Sequence, residues 1–151
     1  MKMKNTHYGF TLFEILVVFV IFALILAIVP LFLPNVIASS QTKTASRELA
    51  ANLKKTRSLA ISKQQETTLS LNIEKKTFAI DKKQKTLTIP DATTLSIITA
   101  RSEQLSDTEG RIRFFPDGSS TGGQIKLVYE KKEYLIDVNW LTGNIKILPK
   151  S

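Results

Sequence analysis

The chain has 151 residues and a formal net charge of +8, which is enough for one domain and favours anionic partners such as nucleic acid or a lipid surface. Its basic residues are scattered, however, and many lie beside turns, as at 74–76, 81–85 and 130–134, which is more typical of solvated hairpin ends than of a binding stripe. No cysteine is present, so a disulfide framework, a thiolate nucleophile and a thiolate metal site are excluded.

The first predicted element is an apolar helix over residues 10–33, preceded by a short basic segment at 1–9. Every residue from Ile15 to Val29 is apolar. A helix over 10–33 would be about 36 Å long, and a hydrocarbon core is roughly 30 Å thick. We therefore predict a transmembrane helix. Two alternatives stay open, namely a buried core helix and a secretory signal peptide cut near Ala38–Ser40.

An ionisable side chain, Glu14, lies near the start of this apolar run. A carboxylate at the centre of a membrane costs roughly 2.5–3.5 kcal/mol, so such a residue is shielded, close to the interface, or functional. One interpretation is that Glu14 extends to the headgroups, because it lies only one turn into the predicted span.

The residues around Glu14 carry a resemblance. The segment GFTLFEILVV, from Gly9 to Val18, resembles the class III leader of type IV pilins and pseudopilins. The resemblance implies that a prepilin peptidase cuts between Gly9 and Phe10 and methylates the new amino group of Phe10. It also implies that Glu14 acts in filament assembly, close to the charged amino terminus of a neighbouring subunit. The absence of a Cβ on Gly9 suits cleavage, because it leaves the backbone accessible.

A second helical segment is predicted over residues 34–65. Pro30 and Pro34 should kink or locally unwind the helix, since each lacks a backbone N–H and crowds the preceding turn. Beyond them the pattern is amphipathic and ends near Gln64–Gln65. The apolar positions of this stripe are Ala45, Leu49, Leu53, Ala60 and Ile61.

From residue 66 onward, the apolar period changes from helical to two, which predicts a β-rich globular domain over 66–151. Gly118 and Gly143 lie in turn dipeptides, since glycine accepts positive φ. The fold class that follows is α+β, with a long N-terminal helix packed on an antiparallel sheet. The predicted strands lie at 67–73, 77–80, 85–90, 93–99, 111–115, 124–129, 134–140 and 144–148.

The stretch FFPDGSSTGG, residues 114–123, is the second specific motif. It is glycine-rich, but a strand pattern rather than Lys-Ser/Thr and a helix follows it, so a phosphate-binding loop is not indicated. By itself it predicts a flexible hairpin loop. Together with Thr142–Gly143, it resembles the C-terminal domain of minor pseudopilin H of the type II secretion system, in the GspH/FimT superfamily. The residues that carry this resemblance are Phe114, Phe115, Pro116, Asp117, Gly118, Ser119, Ser120, Gly122 and Gly123.

This second resemblance implies a fold of the type IV pilin kind and a structural function. The chain would be a minor pseudopilin near the tip of the pseudopilus, supporting export of folded proteins across the outer membrane. The implied partners are prepilin peptidase, the major and other minor pseudopilins, and the inner-membrane assembly platform; no nucleic-acid partner is implied. The chain would cross the inner membrane once, with a cytoplasmic N-terminus and a periplasmic globular domain, before joining the pseudopilus. The charges do not fix this orientation, which depends on the leader alone.

The residues themselves indicate no catalytic site, metal site or cofactor. His7, the single histidine, lies in the leader, and the acidic residues show no spacing typical of a metal site or a paired acid and base. Asp117 is interpreted as a turn residue. We therefore expect a protein that is not an enzyme.

An alternative of a different class stays open. The same superfamily contains FimT-like minor pilins, some of which bind DNA through a basic Gly-Arg-x-Arg element near the C-terminus. In this chain the late turn reads GNIK at 143–146, with Asn144 and Lys146 in place of arginines. A GRIR segment occurs at 110–113, where it reads as the entry to a strand.

Overall fold

The computed structural model describes residues 10–81 and 87–150, with the side chains of 28–36 and 149–150 outside the description. The chain divides into two compact units, whose boundary in sequence lies between Val36 and Ile37. Residues 1–9, including Gly9 and the basic leader, lie outside the described residues.

The N-terminal element is the α-helix α1, Leu12–Lys63. It begins with a cap, because the Glu14 N–H donates to Thr11 Oγ1 over 3.2 Å and the Ile15 N–H donates to the Thr11 carbonyl over 3.2 Å. Thr-x-x-Glu is the sequence of a capping box. The helix is unbroken at Pro30 and Pro34, so the local unwinding predicted there is not found; each proline removes only one bond from the helical ladder.

The first part of α1 has exposed apolar side chains throughout its described portion, residues 12–27. Among the described residues, no helix is both long and apolar enough to cross a membrane. The predicted span over 10–33 includes residues 28–33, whose side chains lie outside the described ones.

The second part of α1 presents the predicted apolar stripe to the core. Ala45, Leu49, Leu53 and Ala60 are all buried, as the helical spacing predicts. Ile61 is an exception, since 39% of it is exposed. Its Cδ1 lies 3.2 Å from the point that a Cβ on Gly118 would occupy, so Ile61 contacts the 114–123 loop rather than the core.

The described part of the β domain contains two four-stranded antiparallel sheets, ordered β3-β2-β1-β5 and β4-β6-β7-β8. The strands are β1 Thr67–Asn72, β2 Thr77–Ile80, β3 Leu87–Thr88, β4 Thr94–Thr99, β5 Glu109–Phe114, β6 Gly123–Tyr129, β7 Lys132–Val138 and β8 Ile145–Lys150. All eight predicted strands are present; β2 has the predicted bounds, and the other seven differ from theirs by one or two residues at one or both ends. The strand predicted over 85–90 is shorter, and its first two residues lie outside the described ones.

Two sheets form, rather than the single predicted sheet, because the second edge of β5 is not paired with another strand. One edge of β5 pairs with β1. At the other edge, Gln104 forms an isolated bridge with Gly110, the Thr99 hydroxyl donates to the Arg111 carbonyl over 2.8 Å, and Ser120 forms a bridge with Phe114.

A single hydrophobic core joins α1 to both sheets. Leu49 and Leu53 of the helix belong to the same cluster as Leu69 of β1 and Ile125 of β6, and each is 0% exposed. Polar contacts add to this packing, since the hydroxyls of Thr42 in α1 and Thr93 before β4 are 2.8 Å apart and buried. The α+β class and the helix packed on antiparallel sheets are therefore confirmed.

Candidate functional site

The loop at 114–123, termed the signature loop below, connects β5 to β6. It is ordered by its own side chains: Asp117 Oδ1 accepts hydrogen bonds from the Ser119 N–H at 2.9 Å and the Ser119 hydroxyl at 2.6 Å. Gly118 has φ +85°, a conformation that favours glycine, and its N–H donates to the Phe115 carbonyl over 2.9 Å. Gly118, Ser120 and Gly122 are buried, so the segment is a packed loop rather than a flexible hairpin end.

The segment 139–144, termed the late turn, connects β7 to β8. Asn139 organises it, because its Oδ1 accepts hydrogen bonds from the N–H groups of Leu141 and Thr142 and from the Thr142 hydroxyl, over 2.9–3.1 Å. The Asn139 carbonyl also accepts from the Gly143 N–H at 2.9 Å. The side chain of one asparagine thus accepts hydrogen bonds from three donors of the turn.

The signature loop and the late turn pack directly on each other. The Ser120 N–H donates to the Trp140 carbonyl over 2.8 Å, and the Ser120 hydroxyl donates to the Asn139 carbonyl over 3.0 Å. The closest approach is at Gly143, where a Cβ would lie 2.1 Å from the Gly118 carbonyl oxygen. The two motifs that the sequence analysis singled out therefore form one structural unit.

A residue of α1 fastens this unit to the helix. The Arg57 Nε donates to the Gly118 carbonyl over 2.9 Å, and Arg57 is half-buried. Sequence reasoning missed Arg57, because 61 positions separate it from Gly118 and no local pattern links them. The sequence shows only an arginine four positions after Leu53 of the apolar stripe, which does not identify its partner.

Two large apolar side chains project from the late turn. Trp140 is 66% exposed and Leu141 is 63% exposed, although the backbone of the turn is held by the hydrogen bonds above. Sequence reasoning assigned Trp140 to the end of a strand and missed its exposure. Its position two residues before the Thr142–Gly143 turn was the signal that could have placed it outside the sheet.

The predicted N-terminal site residues are far less constrained. Phe10 is 78% exposed, and Glu14 is exposed in the first turn of α1, with its backbone N–H bonded to Thr11. Gly9 lies outside the described residues, so the geometry of the predicted cleavage bond is not described. The structure does not bring the side chain of Glu14 together with another predicted site residue.

The GRIR segment lies in β5, as predicted, and its arginines are paired with acidic residues. Glu103 is 3% exposed; its carboxylate forms ion pairs with Arg111 Nε and, at 3.0 Å, with Arg113 Nε. Arg113 Nη1 also pairs with Glu66. The hydrogen bonds that the Arg113 guanidinium donates to Glu103 and then to Glu66 raise the pKa of Arg113 above its usual range. Both arginines are thus engaged within the fold.

Comparison with known proteins defines the family. Residues 45–143 match the family described as type II transport protein GspH, which is more than half of the chain. The chain belongs to the GspH family. Residues 4–30 match the prokaryotic N-terminal methylation motif. The predicted relationship to minor pseudopilin H and the predicted leader motif are therefore confirmed.

A curated relative agrees with this membership. The GspH-family chain is similar to Type II secretion system protein H of Xanthomonas campestris pv. campestris, with 30% identity over 149 residues that cover 93% of this chain and 83% of that protein. The family match includes the signature loop and the late turn up to Gly143, so both motifs lie within the shared domain.

Solved structures support the same fold. The minor pseudopilin EpsH from the type 2 secretion system of Vibrio cholerae is similar with a TM-score of 0.57 and 11% identity, covering 72% of this chain and 96% of that one. The type IV minor pilin FimU of Pseudomonas aeruginosa is similar with a TM-score of 0.58 and 15% identity, covering 74% and 90%. At these identities the likeness concerns the fold alone.

The chemistry of the GspH-family site is that of a packed, hydrogen-bonded surface. Within the described ranges, no group of three or more His, Cys, Asp or Glu side chains is placed to hold a metal ion. Asp117 is the single ionisable residue of the signature loop, and the two hydrogen bonds that it accepts from Ser119 stabilise the charged carboxylate.

We predict that the Ser119 hydroxyl sets the titration of Asp117. The hydrogen bond from this hydroxyl, followed by that from the Ser119 N–H, lowers the pKa of Asp117 below its usual range. The ordering that the carboxylate gives the loop is thus present above the usual aspartate range and lost as the pH falls through the lowered value. Ser119→Ala should raise the pKa of Asp117 towards its usual range, as measured by carbon NMR of the carboxyl group. Ser96→Ala, at an exposed serine of β4, should leave the titration of Asp117 unchanged.

Proposed function

We propose that this chain is a structural minor pseudopilin of the type II secretion pseudopilus, inserted near the filament tip and supporting export of folded proteins across the outer membrane. The observation that carries the proposal is the presence of two family features in one chain, the methylation motif at 4–30 and the GspH domain at 45–143. The pseudopilin family and fold are structural rather than enzymatic, which supports a role as a subunit and not as a catalyst.

The proposed anchor is the apolar segment 10–33, crossing the inner membrane once with its N-terminus in the cytoplasm and its globular domain in the periplasm. The exposed apolar side chains of residues 12–27 support this, since such a surface in water would be strongly unfavourable without lipid or another helix against it. After assembly, the same surface would contact the equivalent helices of neighbouring subunits in the pseudopilus.

Processing by prepilin peptidase at Gly9, with methylation of Phe10, is proposed from the leader motif. The Thr11 cap supports a helix that begins directly after the new amino terminus. In the filament, the carboxylate of Glu14 would lie beside the amino terminus of a neighbour, where two groups that are each costly in lipid offset one another. The proposed partners are therefore prepilin peptidase, the major and other minor pseudopilins, and the inner-membrane assembly platform.

The FimT-like alternative has weaker support. The similarity to FimU concerns the fold alone, and the arginines of the GRIR segment are held by Glu103 and Glu66. A phosphate would have to displace those carboxylates before either arginine could contact nucleic acid.

The experiment that tests the proposal compares the mass and N-terminal sequence of the membrane-purified chain, made with and without prepilin peptidase. A mature chain that begins at methylated Phe10 only in the presence of the peptidase supports the filament-subunit function. An unprocessed chain, or one cut near Ser40, would contradict it.

We further predict that Glu14→Val leaves processing intact but strongly lowers incorporation into the pseudopilus and secretion by a deletion strain. Because the backbone N–H of residue 14 remains, this variant keeps the Thr11 cap and loses only the carboxylate. Thr11→Ala is the matched control, since it removes the cap, typically worth about 1 kcal/mol, and keeps the carboxylate. Processing is measured in both variants. If Thr11→Ala impairs assembly as much as Glu14→Val, Glu14 acts through the helix start and the assembly role is wrong.

A further inference from the structure

An open cleft of about 280 Å³ lies between α1 and the second sheet. Its residues come from two sources with different chemistry. The helix contributes two cations, Lys43 and Arg47, together with Ser46, and the sheet contributes the aromatic ring of Tyr134 and the aliphatic side chain of Ile147. Lys43 and Arg47 are exposed, whereas Tyr134 and Ile147 are half-buried against the core. The cleft therefore has a basic side and an apolar side.

A third cation, from the second sheet, contacts the same face of the helix. Lys132, at the start of β7, donates from Nζ to Ser39 Oγ over 2.7 Å. Ser39 and Lys43 are four residues apart in α1, as are Lys43 and Arg47, and such residues lie on one face of a helix. Lys132, Lys43 and Arg47 thus place three positive charges beside residues 39–47 of α1.

These charges are not neutralised by carboxylates in the described part of the chain, where neither Lys43 nor Arg47 forms an ion pair. The acidic residue that precedes Tyr134 in β7, Glu133, is engaged elsewhere, since its Oε1 lies 3.2 Å from Lys126 Nζ. The cleft is therefore a site of net positive charge with room for an anion.

The residue types indicate a phosphate ester. A guanidinium can bind two phosphate oxygens at once, and an ammonium supplies a point charge beside it. The cleft is slightly smaller than the roughly 300–1,000 Å³ typical of small-molecule pockets, which suits one headgroup. Tyrosine, with an apolar ring and a polar hydroxyl, is a residue type enriched where a lipid headgroup meets apolar carbon.

The position of the cleft in the sequence indicates where that phosphate comes from. Lys43 follows Leu33, the end of the apolar run and of the proposed anchor, by only ten residues in the sequence. We propose that this cleft binds the phosphate of an anionic phospholipid in the leaflet that faces the globular domain. This inference rests on the membrane anchor of the proposed function.

The test uses native mass spectrometry of the full chain in nonionic detergent, with phosphatidylglycerol or phosphatidylcholine added. The wild-type chain should retain phosphatidylglycerol in preference to phosphatidylcholine. The double variant Lys43→Gln/Arg47→Gln should lower that preference roughly tenfold, because two cations near the headgroup are lost. The matched control is Lys54→Gln/Lys55→Gln, which removes the same charge from exposed positions of α1 that do not line the cleft, and it should keep the preference.

Three outcomes would overturn the inference. One is equal retention of phosphatidylglycerol by the wild-type chain and the Lys43→Gln/Arg47→Gln variant, and another is an equal loss in both double variants. The third is thermal stabilisation of the wild-type chain by inorganic phosphate without any preference for phosphatidylglycerol, which would indicate a free-anion site. Processing at Gly9 is measured on the same preparations. If the chain is correctly processed but shows no lipid preference, only this inference is wrong. If the chain is unprocessed but keeps the preference, only the proposed function is wrong.

Discussion

Gly143→Ala should destabilise the globular domain by about 3 kcal/mol. A Cβ at this position would lie 2.1 Å from the Gly118 carbonyl oxygen and 2.8 Å from Arg57 Nε, and the residue has φ +60°. The left-handed conformation alone costs an alanine roughly 1 kcal/mol. The late turn would also have to move away from Gly118, which disturbs the charge-assisted hydrogen bond from Arg57, a type worth about 1.5–3 kcal/mol. Because two motifs and the helix meet at one backbone contact, a single methyl group disturbs all three.

The measurement is urea unfolding of the full chain in mild detergent, followed by the fluorescence of Trp140, the single tryptophan, which lies in the late turn itself. The matched control is Gly110→Ala in β5, where the three atoms nearest to a Cβ would be side-chain carbons of Ile97 and Thr99 at 3.2–3.4 Å. That variant should lose no more than about 1 kcal/mol, since those side chains can shift by a few tenths of an ångström. A loss at Gly143 as small as that at Gly110 would show that the loop and the turn are not tightly packed.

The strands were predictable from the sequence because burial follows the alternation of their residues. In β1, Leu69 and Leu71 are buried while Thr68 and Ser70 are only half-buried, as a period of two requires. The same logic applies to the helical stripe of α1, where four of five predicted positions are buried. Local periodicity is sufficient for such elements, since each strand or helix needs only one apolar face.

The arrangement of the strands was not predictable in the same way. Two sheets form because the edge of β5 that does not pair with β1 is covered by isolated contacts from Gln104, Thr99 and Ser120. No local sequence pattern predicts these contacts. The exposure of Ile61 has a similar cause, since it packs on Gly118, far away in the sequence. Pairing and edge protection depend on which distant segments meet, which periodicity does not specify.

In the candidate site, too, the residues were predictable from local motifs, whereas the contacts between distant segments were not. The residues of the signature loop and the late turn were identified from their motifs, but their direct contact through Ser120 and Gly143 was not. Arg57 was missed because its role is visible only once α1 lies against the loop. The capping function of Thr11 could have been read from the Thr-x-x-Glu spacing, which was interpreted only as part of a leader motif.

Glu103→Gln should be the second strongly destabilising substitution, at about 2–3 kcal/mol. Its carboxylate is 4% exposed and lies between Arg111 and Arg113, which keep 26% and 24% of their side-chain surface exposed. Breaking a fully buried ion pair from one side costs about 3–5 kcal/mol, and the partial exposure of both guanidiniums reduces that cost. The amide would also direct N–H groups toward guanidinium donors, leaving at least one hydrogen bond unmade.

Glu66→Gln is the matched control, because it removes a carboxylate from the same arginine by the same substitution at a position where the side chain is 51% exposed. Exposed ion pairs contribute about 0–1 kcal/mol, so this variant should lose no more than that, and its loss should shrink further at high salt. The raised pKa of Arg113 adds stability that is lost only as the pH rises above the usual arginine range. The loss of unfolding free energy in each of the two variants should therefore be constant between about pH 6 and 9. Comparable losses in the two variants would show that Glu103 is not the buried anchor of the two arginines. The GRIR segment would then be free to bind an anionic partner. DNA binding with a steep salt dependence would in that case support the FimT-like alternative.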